Sequence, residues 1–176
     1  MADPSSLRSL SGLFRDVIQI AYVTDDVDAA TEWFESTLGT TRCHTRYKSS
    51  LGGVAHVDGG LAEEWVIDVA LVNSGPTNIE IIKPVSGAVD LYRDAIRPGA
   101  PASFHHLGMR VHDFDEATAV VHAADRTWKL HGATEGLVRF GYLDMTAELG
   151  HYVEVMELGP GFADYLARLE AESLEM

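Results

Sequence analysis

Cysteine is almost missing from this chain: Cys43 stands alone among 176 residues. No intrachain disulfide and no thiolate zinc cluster can form, which fits a reducing compartment and leaves His, Glu, Asp and Gln as metal-ligating side chains. Basic residues are scarce, with 13 Lys and Arg against 27 Asp and Glu, giving a formal net charge of −14. A sequence-independent nucleic-acid surface needs clustered Lys and Arg to neutralise phosphates, so the expected partner is a small molecule and not a nucleic acid. No apolar run approaches the ~18 residues of a membrane span, and the opening MADPSSLRSLSGLF lacks the basic-then-apolar design of a signal peptide. These absences predict a cytoplasmic protein without a membrane partner.

What is present is a globular composition, 46% hydrophobic and 23% charged, enough for one domain over 1–176 with a single core or two small halves sharing one. An internal repeat supports the second form. SFHHLGMRVHDFDEAT, from Ser103 to Thr118, echoes VIQIAYVTDDVDAAT, from Val17 to Thr31. At an offset of 87 residues His106 falls on Gln19, Asp113 on Asp26, Asp115 on Asp28, Ala117 on Ala30 and Thr118 on Thr31. Two copies of one unit then make the molecule together.

In the first copy, residues 17–83, a strand from Val17 to Thr24 leads into a helix from Val27 to about Leu38. Asp25 or Asp26 caps the helix, Gly39 stops it, and Ala30, Trp33, Phe34 and Leu38 form its buried stripe. Strands over Thr40–Lys48, Glu64–Asn73 and Thr77–Lys83 complete a βαβββ unit, with the Gly-rich Leu51–Gly60 as a connection or hairpin. A linker at 84–104 carries a short helix between Ala88 and Ile96. The second copy, 105–158, has a strand at His105–Val111, a helix at Asp115–Ala124, and strands near Trp128–His131, Leu137–Met145 and His151–Glu157. An amphipathic helix using Phe162, Tyr165, Leu166 and Leu169 closes the chain over 159–176. At the other end, Leu10, Leu13 and Phe14 are the only candidates to anchor the leader.

Each copy ends on a strand with a carboxylate among apolar neighbours, Glu80 in NIEII and Glu154 in YVEVM. An ionised carboxylate there is costly unless it is paired, hydrogen-bonded or metal-bound. Alternation sends Ile18, Ile20 and Tyr22, with Leu107, Met109 and Val111, to a helix-covered face, and sends Gln19 and His106 the other way. Glu80 and Glu154 turn to that same side. A Gln oxygen, a His nitrogen and two carboxylates form a reasonable shell for Zn, Co, Ni, Mn or Fe(II). His105 faces away by parity and has a packing role. Arg110 shares the face of His106, while Tyr142 and Tyr152 are further candidates for substrate contact; Trp65 and Trp128 read as core or pocket wall.

The arrangement resembles the vicinal oxygen chelate superfamily, also called the glyoxalase/bleomycin-resistance/dioxygenase group, over nearly all of Val17–Leu158. The resemblance implies an α+β fold of two paired βαβββ modules forming one cupped, mostly antiparallel sheet with helices on the outer face. It places the ligand positions at Gln19, Glu80, His106 and Glu154. Their order is similar to that of eukaryotic-type lactoylglutathione lyases. The linker ending in Phe104-His-His-Leu107 is similar to that of methylmalonyl-CoA epimerases, from whose His, Gln, His, Glu set this chain departs at the first two positions. A homodimer is left open.

A divalent ion that binds two adjacent substrate oxygens acidifies the neighbouring C–H bond and stabilises the enediolate. The expected activity is that of an isomerase, epimerase or glyoxalase-type lyase, with Glu154 as main base and Glu80 as ligand or partner base. Two other readings compete: a metal-free binder of the bleomycin-resistance kind, and an iron ring-cleaving dioxygenase, against which a single His among the four positions counts.

Overall fold

The computed structural model describes Leu10 and residues 12–50, 55–164 and 167–168. β1 (Val17–Val23) leads into α1 (Val27–Trp33), which continues as a π-helical turn over Phe34–Leu38. β2 (Thr45–Ser50), the hairpin β3 (His56–Val57) and β4 (Gly60–Leu61), β5 (Trp65–Ser74) and β6 (Thr77–Gly87) follow. α2 (Asp90–Arg93) sits between β6 and β7 (Ser103–Val111); then come α3 (Phe114–Ala123), β8 (Leu130–Thr134), β9 (Val138–Met145), α4 (Thr146–Leu149) and β10 (His151–Leu158). β6 and β7 thus take up both ends of the stretch expected as linker. Phe162–Asp164 begin a helical turn, while Tyr165, Leu166 and Leu169 lie outside the described residues. Among the described residues no helix is long and apolar enough to cross a membrane.

The strands form one sheet in the order β2-β5-β6-β1-β7-β10-β9-β8-β3-β4. From the central β1–β7 pair outward, each half lays down its first, last, third and second strand. Only β1–β6 and β7–β10 pair in parallel among the described strands. β2 and β3 stand near opposite ends of this order, yet only residues 51–55 separate them in the chain. The six steps from Ser50 to His56 span at most ~22 Å, whereas a flat sheet would hold those strands roughly 38 Å apart at ~4.8 Å per strand. The sheet therefore curls into a cup, and the hairpin of the first half pairs with β8 of the second.

Both repeat helices start in the same way. Asp26 accepts hydrogen bonds from the backbone N–H of Asp28 and Ala29, and Asp113 from those of Asp115 and Glu116, which satisfies donors that a helix start leaves unpaired. On the outer face α1 packs Val27, Ala30 and Phe34 on Ile79 and Ile81. Likewise α3 packs Phe114, Ala117 and Val121 on Met109, Val153 and Val155, together with Leu10 and Leu13 of the leader. Trp33 and Leu38 do not join that stripe, being 37% and 54% exposed: Trp33 lies at the edge of the face that Val27, Ala30 and Phe34 present, and the π-helical turn over Phe34–Leu38 carries Leu38 off it. Phe14 is exposed as well.

Parity fails at two β-bulges on the central pair. β1 carries Ile18 as an extra residue between the Val17–Met109 and Gln19–Gly108 pairs, and β7 carries His105 between the Ala21–His106 and Tyr22–Phe104 pairs. A bulge turns two successive side chains towards one side. Ile18 therefore lines the cup beside Gln19 instead of joining Tyr22 under α1. His105 packs beside His106 instead of facing away.

Candidate metal centre

The repeat offset survives in the register. Gln19 pairs with Gly108 across β1–β7, and the same offset of 87 carries that pair onto His106 with Ala21. Gln19 and His106 thus take equivalent places on the two sides of the local pseudo-twofold, with Glu80 and Glu154 on the parallel strands flanking them. The ligand atoms of Glu80, His106 and Glu154 lie within 4.8 Å of one another. His106 Nε2 is 3.2 Å from Glu154 Oε2 and 3.7 Å from Glu80 Oε2, and it makes no hydrogen bond although fully buried. Gln19, Glu80 and Glu154 open onto a cavity of about 470 Å³, a size suited to a small ligand.

Burial sets the electrostatics of this floor. Loss of water raises the Glu80 carboxyl well above the usual range, and the neighbouring Glu154 charge adds to the rise. Burial also lifts Glu154, to about 8, while the Tyr142 hydroxyl beside it pulls in the opposite direction. Burial lowers His106 to about 3, with His151 contributing. The imidazole is therefore neutral, and its short distances to the two carboxyls are not charge pairs. An orphaned nitrogen lone pair facing two carboxyls in a dry recess suits a divalent cation, which would favour the charged form of both carboxylates and give Nε2 a partner. The residues present fit such an ion.

A polar chain fixes the Gln19 amide. Gln19 Nε2 donates to Asn78 Oδ1 at 2.8 Å, and Asn78 Nδ2 donates to Asn73 Oδ1 at 3.3 Å. Asn73 Nδ2 in turn lies 3.0 Å from His44 Nε2. Giving one of its two N–H groups to Asn78 fixes the orientation of the amide and so the position of its oxygen, the atom a metal needs. Gly108 leaves room for it: a Cβ there would stand 3.1 Å from Gln19 Cβ and 2.7 Å from Met156 Cε.

The other candidates fall differently. Tyr142 is buried and lines the cavity. Tyr152 is outside the described lining and stacks on His105, with ring centroids 5.0 Å apart. Arg110 is half-exposed and bonded to Asp16, also outside that lining. Trp65 forms cavity wall, whereas Trp128 stacks on Phe114 beneath α3. Sequence reasoning missed the contribution of His44 and of Thr45, Tyr47, Lys48, Ser49 and Ser50 on β2 to the rim. Their only signal is the Thr45-x-Tyr47-x-Ser49 alternation, which does not say which face is inward.

A curled sheet of two βαβββ halves with four polar ligand-type positions on its central strands defines the class, and the sequence agrees. The sequence model of the Glyoxalase/Bleomycin resistance protein/Dioxygenase superfamily matches residues 18–141, and the chain belongs to that superfamily. Comparison with curated proteins by sequence found no match. Among solved structures, methylmalonyl-CoA epimerase from Mycobacterium tuberculosis is similar, with a TM-score of 0.58 and 16% identity over 88% of this chain and 95% of that one. Streptomyces coelicolor methylmalonyl-CoA epimerase in complex with 2-nitronate-propionyl-CoA gives 0.57 and 15%, over 84% and 96%. A hypothetical protein from Bacillus halodurans gives 0.54 and 13%, over 81% and 93%.

Proposed function

We propose that this protein is a divalent-metal-dependent enzyme of the isomerase or epimerase type that moves a proton on a carbon next to a carbonyl. The observation that carries this reading is the orphaned His106 Nε2 facing two buried carboxyls at the base of a ligand-sized cavity. Gln19, Glu80, His106 and Glu154 would hold the ion. When bound, the ion supplies a Lewis acid that makes the substrate C–H bond and both glutamic acids more acidic.

The chain's own residues divide the remaining work. Glu154 is the better base, because the Tyr142 hydroxyl steadies its carboxylate and brings it to about 8, whereas burial and its neighbour's charge push Glu80 well upward. A base works best with a pKa near the operating pH. Glu80, from the other side of the cup, keeps a ligand or partner-base role. Trp65, Ile67, Phe140, Met156 and Leu158 exclude water around the reacting carbon. They favour a substrate with an apolar or aromatic body. Among the described lining residues Lys48 is the only Lys or Arg, a sparse platform for the phosphates of a CoA ester. The superfamily's glyoxalase-type chemistry on a thiol adduct uses the same proton transfer.

Deuterium uptake from D₂O next to the carbonyl of aryl-substituted 2-oxo and 2-hydroxy carbonyl compounds tests the reading, with CoA and glutathione thioesters alongside. Exchange is expected with zinc- or cobalt-loaded protein and should fall about 10²- to 10⁴-fold in Glu154→Gln. A Glu154→Gln variant that binds metal and exchanges at the full rate removes Glu154 from the role of base.

A further inference from the structure

The His105–His106 pair does more than pack. His105 Nδ1 and His106 Nδ1 are 2.8 Å apart, and His105 Nε2 lies 3.0 Å from the Leu91 carbonyl oxygen. A carbonyl oxygen only accepts, so His105 Nε2 carries a hydrogen. A 2.8 Å contact between two ring nitrogens needs one N–H and one lone pair. Both rings are buried, and the partners of His105 are the rings of Tyr92, Tyr142, Tyr152 and His106 with no carboxylate among them. A neutral His105 already protonated at Nε2 has its lone pair at Nδ1, so the hydrogen between the rings belongs to His106. His106 Nε2 then bears the lone pair that faces Glu80 and Glu154.

We propose that His105 is a positioning residue that holds His106 in the Nδ1–H tautomer and so pre-sets Nε2 as a metal ligand. The inference deepens the metal-centre reading and rests on it for its consequence, not for its geometry. Two features of the fold build the relay. The β7 bulge turns His105 to the side of His106. At the end of α2, Ala95 N bonds to Tyr92 O at 3.3 Å instead of continuing the α-helical pattern to Leu91, and the Leu91 carbonyl receives the imidazole. A free neutral imidazole prefers its proton on Nε2, the tautomer that cannot ligate through that atom. Partners of this kind, set behind metal ligands, orient the ring and raise its basicity.

The test is the tautomer itself. Long-range ¹H–¹⁵N correlation spectra of metal-free wild-type protein at neutral pH separate protonated from bare ring nitrogens for each assigned histidine. The expected result is Nδ1–H for His106 and Nε2–H for His105; Nε2–H for His106 overturns the proposal. His105→Phe keeps a ring against Tyr92 and Tyr152 but removes the acceptor, and should shift His106 towards Nε2–H and weaken Zn²⁺ binding about 10- to 100-fold in calorimetry. His105→Asn places an amide oxygen near the Nδ1 position and should restore most of that affinity. Equal losses in Phe and Asn, or an unchanged tautomer in Phe, also overturn it. Should wild-type protein show the expected tautomers yet bind no Zn²⁺, the relay stands and the metal reading fails; Zn²⁺ binding with Nε2–H on His106 gives the reverse.

Discussion

Gly108 shows how little space separates the two halves of the site. It pairs with both Gln19 on β1 and Glu154 on β10, and a methyl group there would press on Gln19 Cβ and Met156 Cε. Gly108→Ala is expected to destabilise the chain by about 1–3 kcal/mol through overpacking and to weaken metal binding by displacing Gln19; urea denaturation and a Zn²⁺ titration check both effects. The same residue scale shows what the sequence could and could not disclose. Glu80 and Glu154 were legible because a carboxylate flanked by Ile or Val is costly anywhere and because it recurs at the end of each copy. His105 was not, since a bulge is a relation between two strands about 85 residues apart in the chain and leaves no local mark on either.

Among the elements, the two helix starts form a matched pair. Asp26 and Asp113 each accept from the same two backbone positions of their own helix. Asp26→Ala and Asp113→Ala should each cost about 1 kcal/mol, and the double variant should lose roughly their sum, because distant caps with no shared partner add. Chemical denaturation of the three variants measures this; a strongly non-additive double variant contradicts independent capping. At this scale the two βαβββ units and the helix-covered outer face followed from the repeat and the strand alternation, and the α+β cup from the family resemblance. The π-helical end of α1 and the exposure of Leu38 did not, because an extra residue per turn shifts a stripe that periodicity assumes to be regular. The pairing of β3 with β8 closes the cup through backbone bonds, to which side-chain patterns are blind.

For the whole molecule, the buried site ties stability to pH. In metal-free protein Glu154 is raised from 4.5 to about 8, and Glu80 moves the same way. The folded state then keeps protons that the unfolded chain releases, so these groups make stability fall as pH rises from about 4.5 towards 8. His105 and His106, lowered from 6.5 to about 3, act in the opposite sense: the unfolded chain takes up protons the folded state refuses, and stability rises with pH between about 3 and 6.5. The two effects oppose each other between about 4.5 and 6.5, and above about 6.5 only the glutamates remain. Chelator-treated protein should lose Tm between pH 6.5 and 8, Glu154→Gln should lose less, and the Tm gained on adding Zn²⁺ should grow over the same window, since an ion favours deprotonated ligands; a flat wild-type profile there contradicts the assignment. The proposed metal centre is tested most directly by a Co²⁺ titration of metal-free protein followed by its visible absorption, in wild type and in Gln19→Ala, Glu80→Gln, His106→Ala and Glu154→Gln. One tightly held ion per chain is expected, with a spectrum altered by each of the four substitutions; a wild type that takes up no stoichiometric metal, or an unchanged spectrum when His106 is replaced, contradicts the proposed centre.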